Sequence, residues 1–440
     1  MDTKHRLELA HWVVDTARAA GAADAAVNIS KSRGVEIEYR DGQLDKVKES
    51  TQNSLNINVY VDDKYSGHST NDLRRESLGP FIKRAVEMTR YLSEDTYRKL
   101  PDPKYYQGIK ALDLKLIDDS YDSIEANSRI GMARTLQEQT AGLSDKIISS
   151  TAGYYDGDNE SIKVHSNGLE GVTQSTSFAV GAEVTIDDGN GGRPSDWNYA
   201  TTRFLSDMPD AEWLARGAVD RVLAKVGQTK IESGTMDMVV VNRGAGNPIY
   251  ALRGPLSGRS LQQKRSFLED KLGEKIASEH LTVIDDPFIE KGLGSRPYNG
   301  EGIASRKRTI IEKGILKEYL IDCYYGRKLG MEPTGGSMSN VIFEYGDKSL
   351  DDLIASVTKG ILVTSFIGGN TNGTTGDYSW GLMGMLIEDG KIVKPVNEMN
   401  ISGNLTELWG NLVAMGNDPY IYSSIRRPSL YFKDVQFAGL

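Results

Sequence analysis

The feature that most restricts this chain is a two-residue alternation repeated on either side of a turn. Val35, Ile37 and Tyr39 alternate with Glu36, Glu38 and Arg40, Asp41-Gly42 follows, and Leu55, Ile57, Val59 and Val61 then alternate with Asn56, Asn58 and Tyr60. Successive side chains of a strand point to opposite faces, so the pattern predicts antiparallel strands with one apolar and one wet face. Such a sheet needs a covering layer on one side only. Helical periodicity supplies it in four places. Leu7, Ala10, Val14 and Ala17 lie between a candidate N-cap, Thr3, and Gly21; Leu78, Ile82, Ala85, Val86 and Thr89 repeat the period; Met132, Leu136, Thr140 and Leu143 give a third helix; and Trp213, Leu214, Ala218, Val222 and Val226 give a fourth, closing at Gly227. Leu100-Pro101-Asp102-Pro103 interrupts the series with a loop, and short strands are expected around Ser166-Asn167-Gly168 and Asp187 to Gly192.

The second half is dense in hairpin punctuation. Thr309 to Leu320 reads as strand, Lys313-Gly314 turn, strand, and Met383 to Val396 reads the same way around Asp389-Gly390. Ser349-Leu350-Asp351-Asp352 is a capping box with Asp in place of Glu, opening a helix toward Lys359, and Asn404 caps a helix expected to run through Leu408 and Leu412. Helices that cover sheet, rather than alternate with parallel strands, predict an α+β fold with antiparallel or mixed sheets. The polar stretch Gln228 to Gly234 places the expected boundary between an N-terminal α+β domain, 1–230, and a sheet-rich C-terminal domain, 231–440.

Composition narrows the classes of function. With 52 Lys and Arg against 61 Asp and Glu the net charge is −9, which offers no general attraction to nucleic acid or to anionic membrane surfaces. The one cysteine, Cys323, cannot form an intrachain disulfide and fits a reducing cytoplasm. The start runs directly into an amphipathic pattern without the apolar core of a secretory signal, and the apolar stretch Leu353 to Ile367 is too short and too polar to span a bilayer, so neither export nor membrane insertion is expected.

Specific catalytic motifs are missing. The five histidines are His5, His11, His68, His165 and His280; the closest pair is six residues apart on the first helix, about 120° apart around its axis, and no His-Glu-x-x-His occurs. There is no Gly-x-Ser-x-Gly elbow, and Cys323 sits among Ile321, Tyr324 and Tyr325, a setting for a buried inert thiol. Tyr155-Asp156-Gly157-Asp158-Asn159-Glu160 has the flavour of a calcium loop but lacks its glycine and terminal glutamate, and reads as a surface turn. Gly368 to Gly381 is rich in glycine and small hydroxyls; without a Lys-Ser or Lys-Thr pair it is no phosphate loop, and it suits unusual turns with accessible backbone amides.

An ordered set of segments carries a family resemblance. Leu268 to Ile276, Leu281 to Pro287, Gly300-Glu301-Gly302, Lys313 to Leu316, Gly326 to Gly330, Gly376 to Gly381, Pro395-Val396 and Ile401 to Leu405 resemble the motifs of the TldD/PmbA family, strongly from residue 236 onward and more weakly before. The resemblance implies an intracellular zinc metallopeptidase system of two related subunits, TldD and TldE (also called PmbA). It implies that catalytic members carry a His-Glu-x-x-x-His helix in the segment corresponding to about 247–258 and a cysteine near the C-terminus. Here that segment is Asn247 to Gly258, with Tyr250, Arg253 and the following Arg259 as a degenerate metal-site region; the histidines are missing, and the only cysteine lies far upstream of the end. A catalytic zinc needs about three protein ligands and a water brought to a pKa of ~7, and Gly254 and Pro255 disfavour a regular helix there.

The expectation is therefore a TldE/PmbA-type subunit with no catalytic residue and no metal of its own, zinc belonging to a TldD-like partner. The expected partners are that zinc peptidase or a second copy of this chain, and an extended peptide held by Gly368, Gly369, Asn370, Asn372, Asp377, Tyr378 and Ser379. A stand-alone homodimer that binds peptides or another protein is the alternative. An active enzyme using carboxylates such as Asp285 and Asp286 is a third reading. The older family label, modulator of DNA gyrase, finds no support for direct DNA contact in the charge.

Overall fold

A computed structural model describes residues 1–440. The N-terminal half is organised by one six-stranded antiparallel sheet, in the order β3-β2-β1-β4-β5-β6, formed by β1 (Asp24–Arg40), β2 (Gln43–Val61), β3 (Lys64–Thr70), β4 (Ile147–His165), β5 (Glu170–Ile186) and β6 (Ser195–Thr202). Asp41 and Gly42 both adopt positive φ, the geometry of the tight hairpin that the sequence predicts. The strands after the third helix are long rather than short, β4 having 19 residues and β5 17. Asp2 rather than Thr3 caps the first helix, its carboxylate accepting the His5 N–H at 2.8 Å.

Four helices lie against one face. α1 (Thr3–Ala19) and α2 (Arg75–Thr89) bury Leu9, Val13, Leu78 and Ile82 against Val27, Ile29, Leu55, Ile57, Ile162 and Val164. α3 (Ala126–Ala141) and α4 (Ala211–Leu223) bury Leu136, Leu214 and Val222 against Ile37, Tyr154, Phe178 and Val184. Two apolar cores thus share a sheet face. Between them the strands turn polar, and Arg6 from α1 and Arg129 from α3 enter the gap. Arg6 Nε lies 2.5 Å from Glu160, which also accepts from Thr3 and Gln174; Arg129 Nε lies 2.5 Å from Asp156, which also accepts from the Tyr121 and Tyr154 hydroxyls at 2.8 Å. The stretch from Tyr155 to Glu160 is therefore no surface turn but the middle of β4, and two of its acids, Asp156 and Glu160, look inward to arginines.

The C-terminal half contains α5 (Gly246–Arg253), α6 (Gly258–Gln262), β8 (Val283–Asp285), β9 (Arg308–Glu312), β10 (Ile315–Leu316), α7 (Cys323–Leu329), β11 (Val341–Phe343), α8 (Leu350–Ala355) and α9 (Leu405–Gly410). Its main sheet is built from β7 (Gly234–Val240), β12 (Lys359–Thr371), β13 (Asp377–Glu388), β14 (Lys391–Asn404), β15 (Leu412–Met415) and β16 (Leu430–Ala438), in the order β14-β13-β12-β7-β16-β15. Pairing of β14 with β16 closes it into a small barrel around Met238, Ile361, Leu382, Ile401 and Phe432. A second sheet, β10-β9-β8-β11, packs beside it. The architecture is α+β with antiparallel and mixed sheets, as the patterning predicts. Ser349 and Asp352 form the expected capping box, but α8 stops at Ala355 and the chain enters β12 at Lys359. Leu412 belongs to β15, because Asn411 ends the helix capped by Asn404.

Asp156→Ala is expected to cost about 3–5 kcal/mol in urea unfolding, because it strands the Arg129 guanidinium, 5% exposed, without its anion. Burial opposes ionisation of Glu160, but its bonds from Arg6, Thr3 and Gln174 outweigh that and hold the carboxyl below the ordinary range. Stability from this group is thus present above the unfolded-chain pKa and disappears as pH falls through the folded one. Glu160→Gln should be less stable than the parent at pH 7, and the gap should close as urea midpoints are followed down through the acid range.

Candidate functional site

The glycine-rich segment forms the far end of the β12–β13 hairpin. Between Ile367 and Asn370 the ladder slips, and Gly368 and Gly369, at φ 63° and 117°, have no partner residue on β13. Pairing resumes with Asn370 opposite Ser379 and Thr371 opposite Tyr378. The turn is held by its own polar groups. The Asn372 N–H donates to the Asp377 carbonyl and the Gly376 N–H to the Asn372 carbonyl, both at 2.8 Å, and the Thr375 hydroxyl donates to the Asp377 carboxylate at 2.6 Å. Asn404 reaches across from β14, its amide donating to the Thr375 carbonyl and to Asp377 while its oxygen caps α9. The bonds from Thr375 and Asn404 hold the Asp377 carboxyl below its ordinary range.

Gly368, Gly369, Asn370, Asn372, Asp377 and Ser379 are exposed along this hairpin. Tyr378 is not among them. Alternation turns it to the opposite face, where it is 7% exposed and its ring centroid lies 4.4 Å from that of Trp380. Tyr378 is a floor for the hairpin rather than a contact surface.

The segment from Asn247 to Gly258 does form a helix over its first part. α5 accommodates Pro248 in its first turn, where no N–H is needed, and stops at Gly254 ahead of Pro255. Tyr250 and Arg253 are exposed, with the Arg253 guanidinium 5.9 Å from the Tyr250 ring centre, and Arg259 is exposed on α6. The fold brings this region to the glycine-rich turn. The Phe267 N–H donates to the Gly373 carbonyl at 3.0 Å, a Cβ on Gly373 would stand 3.7 Å from Pro255, and one on Gly376 would stand 3.2 Å from the Phe267 ring. Phe267 and Asn404 thus join the site; Asn404 is marked in the sequence as a helix cap and as part of a family motif, whereas nothing in the sequence marks Phe267.

Several groups able to support hydrolysis are engaged elsewhere. Asp285 accepts from Arg308 at 2.9 Å and from the Ser339 N–H at 2.6 Å, and Asp286 pairs with Lys307 at 2.9 Å. His5 bonds Asp2 and His11 bonds Glu170, each at 2.8 Å, while His165 accepts or donates at 3.0 Å to Tyr106 and is pulled by burial to a pKa of about 3. Burial pushes the Cys323 thiol up, and its backbone N–H is held by Glu301. No three side chains of His, Cys, Asp and Glu are grouped so as to hold a metal ion.

Three family profiles match the chain in order: PmbA/TldA metallopeptidase domain 1 over residues 25–89, the central domain over 119–226 and the C-terminal domain over 233–439. The chain belongs to the PmbA/TldD family. Metalloprotease PmbA of Escherichia coli O157:H7 is 31% identical over 96% of this chain and 94% of that protein. A Bacteroides thetaiotaomicron protein solved under the description of a modulator of DNA gyrase is 42% identical, covers all of both chains and superposes with a TM-score of 0.97. TldE from Thermococcus kodakarensis, 20% identical over 98% of this chain and all of the other, superposes at 0.86 and shares the fold. No helix of this PmbA/TldD-family chain is long and apolar enough to cross a membrane.

The two unpaired glycines of the hairpin make a test of its shape. A Cβ on Gly369 would lie 2.4 Å from the Ser379 carbonyl oxygen, whereas one on Gly368 would meet nothing within 4 Å. Gly369→Ala should therefore destabilise the chain more than Gly368→Ala, whose cost is only the left-handed backbone, about 1–2 kcal/mol. Paired urea titrations read the difference.

Proposed function

We propose that this chain is a TldE/PmbA-type subunit that contributes a peptide-holding surface to a TldD/TldE-type zinc metallopeptidase and leaves hydrolysis to a TldD-like partner. One observation carries the reading: the segment that the family resemblance sets opposite a zinc-bearing helix folds over its first part as α5, yet presents Tyr250 and Arg253 with Arg259 just beyond, and brings no histidine or carboxylate with it. Guanidinium groups oppose a dication and cannot take a proton from water near neutral pH. Zinc is accordingly assigned to the partner and not to this chain, and the site of action to the cytoplasm. Similarity to proteins named metalloprotease PmbA and TldE supports the family side of this reading.

The hairpin next to α5 suits an extended peptide. Gly368 and Gly369 keep the backbone uncovered, and Asn370, Asn372, Asp377 and Ser379 offer donors and acceptors that any peptide bond can use, so recognition would follow backbone form more than sequence.

Mixing the purified chain with a TldD-like protein should yield, in a co-eluting complex, cleavage of an unfolded peptide that a chelator abolishes. The chain alone should cleave nothing and retain no stoichiometric zinc after dialysis. Cleavage by the isolated chain, or failure of the mixture either to co-elute or to gain activity, contradicts the assignment.

A further inference from the structure

A cavity of about 430 Å³ lies between α4 and the closed C-terminal sheet, within the ~300–1,000 Å³ range of small-ligand sites. Its polar wall comes from Asp196, Asp220, Arg221 and Lys225, and its apolar wall from Val241, Met383, Met385 and Val396. It shares no residue with the glycine-rich turn, and it stands independently of the function proposed above.

The charges in this cavity are unequally committed. Asp196 is taken by Lys225 at 2.9 Å. Asp418, at the rim, accepts the Ser429 N–H at 2.9 Å and its hydroxyl at 2.7 Å. Asp220 is exposed and directly precedes Arg221 on the helix, where neighbouring side chains diverge by about 100°. Arg221 is left over. It lines the cavity, and its Nε is buried without a hydrogen-bond partner; burial shifts the group downward, and the charge of nearby Asp196 offsets this only in part. Arg243, stacked 4.2 Å from the centre of the Trp197 ring, adds positive field at the same place. One wall thus offers an unsatisfied planar cation and the other offers adaptable methionines.

We propose that this cavity binds an apolar carboxylate, with the acid group on Arg221 and the hydrocarbon against Met383, Met385 and Val396. Two sources have this chemistry: the C-terminal residue of a peptide and a free branched-chain acid. A guanidinium meets a carboxylate through two parallel hydrogen bonds, which a neutral amide cannot reproduce.

Calorimetric titration of the full chain with N-acetyl-L-leucine, 4-methylpentanoate and N-acetyl-L-leucinamide tests the assignment. At least one acid is expected to bind about tenfold or more tightly than the amide, the gain of a charge-assisted pair over a neutral one. Binding of N-acetyl-L-leucine alone identifies a peptide terminus, and binding of 4-methylpentanoate identifies a free acid. Arg221→Gln, with its fold checked by thermal melting, should weaken the acid by a similar factor and leave the amide unchanged. Equal affinity for acid and amide, or no binding of either acid at millimolar concentration, overturns the proposal. So does an Arg221→Gln variant that binds the acid as well as the parent. The comparison of acid with amide on the parent chain needs no variant to fold.

Discussion

Two buried arginine–carboxylate pairs allow strands of seventeen to nineteen residues to run through one sheet while carrying two separate helix pairs on a single face. An unbroken apolar stripe of that length would let the helices slide along it. Polar residues at the midpoint of β4 prevent this, because Glu160 and Asp156 must each meet a specific cation, and the cations sit on different helices, Arg6 on α1 and Arg129 on α3. Buried ion pairs add little net stability over apolar packing, but breaking one partner is costly, so their effect here is on register. The helices are pinned along the strands as well as pressed onto them.

The C-terminal half rests on a different constraint. β7 and β12 pair in parallel, and parallel neighbours cannot be joined by a tight turn. The connection runs from residue 241 to 358 and holds α5 to α8 and the small sheet, so α5 with Tyr250 and Arg253 lies on the crossover and not on the barrel. The β12–β13 hairpin extends past the last residue paired with β7, Val363, and its free end comes back over that crossover at Pro255 and Phe267. A surface of backbone and small polar groups is thus placed beside α5 by topology, without any long side chain reaching between them.

Features set by neighbours in the chain were legible in the sequence. The Asp41-Gly42 turn, the Ser349 capping box and the Asn404 cap depend on backbone conformation within a few residues, and each carries its chemistry locally. What failed depended on distant partners. Nothing near Tyr155 to Glu160 announces that arginines from α1 and α3 arrive to neutralise its acids, so an acidic, glycine-containing run resembles a turn. Leu412 keeps helical spacing from Leu408, but its pairing with Phe432 decides its conformation. At the candidate site, glycine density pointed to the hairpin, whereas the burial of Tyr378 and the contact through Phe267 follow from strand parity and from the crossover. Patterning supplied the fold class and the family motifs the region; side-chain direction came only with the three-dimensional arrangement.

The same distinction between local and distant partners bears on what the chain could do with a metal. A hydrolytic zinc site takes about three ligands converging on one point, and no three His, Cys, Asp or Glu side chains of this chain converge in that way. Substituting Tyr250 by histidine would add one imidazole to a helix whose neighbouring side chains include Arg253, while Asp285 and Asp286 would still be held by Arg308 and Lys307. His165 lies on β4 in the N-terminal sheet, its Nδ1 bonded to Tyr106. A chain organised in this way retains the helix and hairpin geometry around the site but opposes cation binding electrostatically. That is the physical reason the proposed function leaves cleavage to a partner.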